Sequence, residues 1–430
     1  MKKNIFKLLL LITLLVVNSG DSLAQVSWTK YSGNPLSLLN GAPGSWNRNV
    51  CEASVLYNAD SSRYEMWFSA TSGNPVFPYK IGYAKSIDGI SWDMLPDPVL
   101  TPTSGTWDQY NVQFPFVIRE NGQYKMWYSS SPPDYNQCKI GYATSLDGIE
   151  WTKDTLHNPI FVPGTDSWEA GGVMACYVMP VSGGYKIWYS GFTNALTNGN
   201  VYIGYATSAD GISWQRDTIN NPVLEPGVTG LWDGKWVWYP QLLFIDNMYY
   251  MYYAGTNTGY WGTVEVGLAT STDGITQWTK DSLNPVLSPS PGMWDGQKVE
   301  ASSVKLIGDS LWMWYSGNGS FLQIGLATSL FEPVSVEQDL KQPIEFILEQ
   351  NYPNPFNPTT VISYQLPISS DVSLYVFDIL GNELASLVDE YKPAGGYQVE
   401  WNASNYPTGV YFYQLKAGSF VETKKMILLH

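Results

Sequence analysis

Between residues 26 and 335 apolar and polar side chains alternate with a period of two in short runs, among them YEMWFSA, YKMWYSS, YKIWYSG, YYMYYAG and LWMWYSG. That period is the mark of a strand with one face buried. Ahead of these runs stand a second short strand, as in VQFPFVIR and VEASSVKLI, and a turn such as ENGQ, VSGG or IGDS. Each pair is predicted to form a β-hairpin. A third segment follows, KIGYATSLDGIEW from 139, and nearly the same residues return as KIGYAKSIDGISW from 80, YIGYATSADGISW from 202 and VEVGLATSTDGITQW from 264. It supplies a third strand, a D-G turn and a fourth strand ending in tryptophan.

The glycines of the shared core fall at 82, 141, 204, 267 and 325, roughly 60 residues apart, and a tryptophan after a Pro/Gly-rich turn keeps the same interval at 46, 107, 168, 232 and 294. Four strands per repeat and five repeats predict an all-β chain whose main body, residues 26–335, is a five-bladed β-propeller. The fifth repeat stops at IGLATSLFEPV without its DGIxW, whereas WTKYSGNPL at Trp28 matches WTKDTLHNPI at Trp151 and WTKDSLNPVL at Trp278. Trp28 to Leu36 is therefore expected to pair with Leu322 to Ser329 and close the ring, which protects edges an open sheet would expose.

The repeat also judges the acids it carries. Asp88, Asp147, Asp210 and Asp273 recur at every D-G turn, whereas a ring needs one reaction centre, so they read as turn formers. The segment resembles the Asp-box turn of sialidases, S-x-D-x-G-x-x-W, usually one residue shorter here; that turn is structural there too. The same logic makes Asp108, Glu169, Asp233 and Asp295, each beside a repeating tryptophan, structural.

After Pro333 the pattern changes. Residues 336–350 read as a linker, and DVSLYVFDILGNELASLV, GGYQVEWNA and GVYFYQLKAGSFVETKKMILL within 351–430 read as strands of a small β-sandwich, a fibronectin-like spacer on pattern alone. With NYPNPFNPTT at its start, FDILGNEL, GGYQVEWNA, the GVYFYQL strand and a lysine-containing last strand, this region closely resembles the C-terminal sorting domain of the type IX secretion system. The resemblance implies handling by that machinery through residues 351–430, export across the outer membrane, and removal of the domain or surface attachment.

Composition narrows the chemistry. Aromatics are 15% of the 430 residues, with 19 Trp and 30 Tyr, while charged residues are 14%, a balance that favours sheet. Residues 1–24 combine lysines, an apolar run from Leu8 to Val17 and a small-x-small site at Ala24, the form of a cleaved secretory signal. The run is shorter than the ~20 residues a membrane span needs, and no cysteine follows the site to carry a lipid. Three cysteines, Cys51, Cys138 and Cys176, are too few for a disulfide framework. His157 and His430 are the only histidines, which leaves proton transfer to carboxylates and excludes histidine-rich metal sites. A net charge of −15 without a basic cluster argues against nucleic acid. No cofactor is indicated; calcium occurs in the channels of such propellers, but no ligand cluster here points to it.

The first strand of each blade lines the central funnel, and ligands bind where loops converge at one mouth. Six residues beyond each repeating tryptophan stand Glu52, Gln113, Met174, Trp238 and Glu300, so the ring is asymmetric where a site needs it to be. Glu52 and Glu300 share the contexts CEASVL and VEASSVKL in blades one and five, which adjoin in a closed ring. Such a pair can divide acid and base work at a glycosidic bond, or can be repeat residues bound to backbone. In WDGKWVWYPQ, Trp236, Trp238 and Tyr239 beside Lys235 form a candidate carbohydrate subsite or an inter-blade packing cluster. Arg48, Gln113 and Lys298 complete a polar mouth. Insertions at 131–138, 191–200 and 255–262 are expected on the outer rim.

The W…NPVL…W…YxMWYSG…IGYATSxDGIxW repeat and the EAS segments resemble the five-bladed glycosidases, namely arabinanases, β-xylosidases, fructosidases and the mannoside phosphorylases. The likeness implies a glycoside hydrolase with Glu52 or Glu300 as general acid, by analogy with E-(A/G)-P. Serine stands where that motif has proline, no A-D-P or N-D-P-N segment supplies a catalytic aspartate, and the phosphorylases' basic phosphate ligands are not recognisable. Two readings follow: an exported hydrolase using Glu52 and Glu300, and a non-catalytic surface propeller that binds glycans.

Overall fold

The computed structural model describes residues 27–331 and 346–429 except 37–39, 43, 74–77, 195–198, 260–261, 368–369, 393–394 and 419. The signal segment and residues 336–345 of the linker lie outside the described residues. All regular structure among those described is strand, and the chain divides into two compact units at Val334/Ser335.

The first unit is a five-bladed propeller. Blade one contains Asn49–Asn58, Arg63–Thr71, Lys80–Ser86 and Asp93–Met94; blade two Gln113–Glu120, Gln123–Ser130, Lys139–Ser145 and Thr152–Lys153. Blade three contains Gly172–Val181, Gly184–Phe192, Val201–Ser208 and Gln215–Arg216; blade four Trp236–Ile245, Met248–Thr256, Glu265–Ser271 and Thr279–Lys280. Blade five takes Lys298–Ile307, Ser310–Asn318 and Leu322–Leu330 from late in the unit and Thr29–Lys30 from its start, with Thr29 opposite Thr328 and Lys30 opposite Ala327. Asn34 then brackets Leu326 through its N–H and carbonyl, as Asn158, Asn221 and Asn284 bracket Tyr142, Tyr205 and Leu268. The expected closure is thus built with the same side-chain contact as the interior blades.

The two sequence markers touch each other. A Cβ added at Gly82, Gly141, Gly204, Gly267 or Gly325 would fall 2.3–2.8 Å from the indole of Trp46, Trp107, Trp168, Trp232 or Trp294. No side chain fits there, so glycine and tryptophan keep one interval. Beside each of four of these indoles a buried acid holds an ion pair with the fourth strand and accepts a tyrosine hydroxyl. The sets are Asp108, Lys153 and Tyr128; Glu169, Arg216 and Tyr189; Asp233, Lys280 and Tyr253; and Asp295, Lys30 and Tyr315. Blade one replaces all three members together, by Asn47, Met94 and Phe68. A buried acid without its cation is costly, and the substitution as a set identifies these acids as framework.

The D-G turns stitch blade to blade. Asp88 Oδ1 accepts the N–H groups of Ile90 and Ser91, which hold its carboxyl at about 2 against the opposing pull of burial. Each turn's glycine carbonyl accepts an indole N–H from the preceding blade: Trp67 to Gly148, Trp127 to Gly211, Trp188 to Gly274 and Trp314 to Gly89, at 2.7–2.9 Å. A second stitch runs from first-strand N–H groups to serines of the preceding blade: Phe114 to Ser69, Ala175 to Ser129, Tyr239 to Ser190 and Glu52 to Ser316. Between blades four and five both stitches are missing. Tyr252 and Ala254 replace the tryptophan and serine, and blade five has no D-G turn.

The second unit is a sandwich of a three-stranded sheet (Ile347–Leu348, Thr359–Leu366, Gly395–Asn402) and a four-stranded one ordered Glu383–Lys392, Ser370–Phe377, Gly409–Ala417, Phe420–Leu428. Leu374, Trp401, Tyr413, Leu415 and Met426 fill its core.

Candidate active site

Every first strand carries a bulge near the funnel mouth. Pairing slips between Cys51 and Ser54, Gln113 and Phe116, Met174 and Tyr177, Trp238 and Gln241, and Ala301 and Ser303. Just inside the slip, Glu52, Phe114, Ala175 and Tyr239 have φ of 57°, 51°, 50° and 52°. A side chain in this left-handed region costs about 1–2 kcal/mol, and the serine stitch described above holds each residue there.

This register corrects one expectation. Cys51, Gln113, Met174, Trp238 and Glu300 stand level, opposite Ser69, Ser129, Ser190, Ala254 and Ser316. Blade one has one residue fewer after its repeating tryptophan, so Cys51 is the counterpart of Glu300, and Glu52 takes the bulged position. The bulge re-aims its side chain toward blade two, where the Phe114 N–H donates to Glu52 Oε2 at 3.1 Å.

Glu52, Gln113, Met174, Trp238, Lys298 and Glu300 nevertheless line one narrow cleft, with a free volume of about 50 Å³. Tyr79, Phe114, Tyr135, Asn318, Leu322 and Cys51 complete it. Pattern reading missed these. Tyr135 belongs to the 131–138 insertion, which therefore reaches the mouth and not the outer rim: second strands end, and third strands begin, on the face where first strands start. Gly199 and Gly259, from the other two insertions, likewise meet Trp236 of a first strand. Hairpin direction was the signal that places all three.

Glu52 is 7% exposed. Burial pushes its carboxyl up to about 8; Ser69 and the Phe114 N–H oppose the rise and the charge of Glu300 adds to it. Glu300 keeps partial contact with solvent. Burial lifts it to about 7 against the ammonium of Lys298, whose own value falls because it too is buried. The Cys51 thiol is driven well up by burial and by both glutamates. All three cysteines are buried and free.

The remaining candidates lie away from the cleft lining. Arg48 stacks its guanidinium 4.0 Å from the Phe321 ring, and Lys235 is half-buried. Trp236 is fully buried, donates to the Gly199 carbonyl at 2.7 Å and tilts against Trp238. Tyr239 is buried with its ring edge-on to Phe114. Of the blade-four aromatics, Trp238 alone reaches the cleft; the others form the wall behind it. Among the described residues no group of three or more His, Cys, Asp or Glu side chains is placed to hold a metal ion.

Residues 350–429 match the family model of the secretion system C-terminal sorting domain. An uncharacterised protein of Mycobacterium tuberculosis is 32% identical over 136 residues, 31% of this chain and 44% of that one. The chain thus spans less than half the length of the curated relatives it matches. Among solved structures, similarity extends to a glycosyl hydrolase from Bacteroides ovatus (16% identity, TM-score 0.55, 71% of this chain and 93% of that one). It extends also to a thermostable family-43 glycoside hydrolase (20%, 0.51, 69% and 93%). A third comes from the GH130 family of mannoside phosphorylases, which contains glycoside hydrolases that target β-1,2 mannosidic linkages in Candida mannan (15%, 0.56, 73% and 98%). At these identities the likeness is one of fold. Residues 350–429 thus belong to the secretion system C-terminal sorting domain family, and the unit before them is a five-bladed propeller with the fold of the glycoside hydrolase propellers.

Proposed function

We propose that the propeller is an exported glycoside hydrolase with Glu52 as general acid and Glu300 as base or nucleophile. The observation that carries this reading is two carboxyl groups in one narrow cleft, both raised toward neutrality and separated in character by their neighbours. Glu52, more deeply buried and repelled by Glu300, keeps its proton longer and protonates the departing oxygen. Glu300, beside Lys298 and partly open to water, ionises first and attacks the sugar carbon or activates a water. Gln113 and Trp238 bind hydroxyls and one sugar face; Arg48, Lys235, Trp236 and Tyr239 shape the rim and wall. The sorting domain supports a substrate among glycans outside the cell.

One observation favours the second reading, a glycan-binding propeller without catalysis. A void of about 50 Å³ holds only a few waters, at about 10–15 Å³ each, and no sugar ring enters until side chains at the rim move. Reducing-sugar release from a panel of plant and microbial glycans by residues 25–430, beside Glu52→Gln and Glu300→Gln, separates the two. Release that either substitution abolishes establishes the hydrolase. No release from any glycan, with retention on an immobilised glycan that Trp238→Ala abolishes, establishes the binder.

A further inference from the structure

The first strands end on the face of the ring opposite the mouth, and there one position breaks the repeat. Pairing aligns Leu56, Ile118, Met179, Leu243 and Lys305, which stand opposite Glu65, Lys125, Lys186, Tyr250 and Trp312. The first four are apolar and pack into the cores between blades. Blade five puts an amine in their place, and no carboxylate or hydrogen-bond acceptor meets it among the described residues. Burial alone acts on that amine and pulls it down to about 8. Lys125, by contrast, sits 2.6 Å from Glu120.

Lys305 lines an open groove of about 440 Å³ between blades five and one, with Tyr57, Tyr64, Ile87 and Leu306. The volume falls within the range of about 300–1,000 Å³ usual for small-molecule sites. Tyr57 is 52% and Ile87 86% exposed; the Tyr57 ring is fixed edge-to-face on Tyr64 at 5.0 Å. Among the described residues no acidic side chain lines the groove, although the chain carries a net charge of −15. The groove therefore combines one amine with exposed aromatic surface.

We propose that this groove binds an acidic saccharide, a hexuronic acid residue whose carboxylate meets Lys305 Nζ while the apolar face of its ring lies against Tyr57. The cation selects the anion, and the exposed phenol ring offers the flat apolar surface that a pyranose presents in return. One amine and two phenols can serve a carboxylate and hydroxyls. Among the described residues the lining holds no amide or carboxyl side chain to pair with the backbone of an acidic peptide. The inference does not depend on catalysis in the funnel, which opens on the opposite face.

The test is calorimetric titration of residues 25–430 with tri- and tetragalacturonic acid, with neutral galacto-oligosaccharides of the same length and with pentaglutamate. Lys305→Leu restores the residue type of the other four blades, so the variant folds and melts no lower than the parent. It is expected to weaken galacturonate binding at least about tenfold, the scale of one charge-assisted hydrogen bond, and Tyr57→Ala to weaken it as well. Trp238→Ala, in the funnel, leaves it unchanged. Absence of galacturonate binding overturns the proposal, as does binding that survives Lys305→Leu or is lost with Trp238→Ala. Pentaglutamate that binds as tightly and depends on Lys305 makes the groove a peptide site instead.

Discussion

The buried set in blade two offers a test of the framework reading, because blade one carries its replacement. Asp108 is 1% exposed in its side chain and holds Lys153, itself 17% exposed, at 2.5 Å. Lys153 also donates to the Thr101 carbonyl and to Thr103, and Tyr128 donates to Asp108. Lys153→Met leaves the acid buried without its cation. Removing one partner of a buried pair costs about 3–5 kcal/mol, and the residual exposure of Lys153 puts this case near the lower end. At about 2 °C per kcal/mol for a unit of this size, the melting temperature falls by about 6 °C. The triple variant Asp108→Asn, Lys153→Met, Tyr128→Phe copies blade one and leaves no charge behind. Its cost is expected to stay near about 1 kcal/mol, the range typical of volume-conserving exchanges. Urea titrations and thermal melts of the parent, the single variant and the triple variant measure the free energies and the melting temperatures. A triple variant as unstable as Lys153→Met, or a single variant within 1 °C of the parent, refutes the reasoning.

Two further outcomes are expected. Glu52 and Glu300 are raised to about 8 and 7 from about 4.3 in an unfolded chain, so the native state binds the extra protons and stability falls as pH rises between those values. Melting temperatures from pH 5 to 9 should decline less steeply in the Glu52→Gln, Glu300→Gln double variant than in the parent; parallel curves would refute the raised values. Deleting residues 25–37 removes the outer strand of blade five and should sharply lower the melting temperature, whereas an unchanged one would show that Thr29–Lys30 does not close the ring.

The fold was legible because its two sequence markers are in contact. Gly141 and Trp107 must vary together, and so they keep the interval that reveals five blades. The closing strand could be read for the same reason, since Asn34 repeats the role of Asn158. The site was legible only in part. Counting from the repeating tryptophan identified Glu52 and Glu300, but missed that blade one is a residue short, so that Cys51 stands level with Glu300. Which side chains reach the cleft was hidden for a different reason: Trp236 and Trp238 differ little in sequence context, and burial of one behind the other is a property of packing. Tyr135 escaped because an insertion is placed by the direction of its hairpin and not by its composition.

The unstitched junction between blades four and five passes through the cleft, with Trp238 on one side of it and Lys298 and Glu300 on the other. Elsewhere, parting two blades breaks an indole bond and a serine bond together; here it breaks neither. The one junction without either side-chain stitch therefore runs beside the two carboxyl groups, and there the ring is held by backbone bonds of Val264 to Gln297 and Val299 instead.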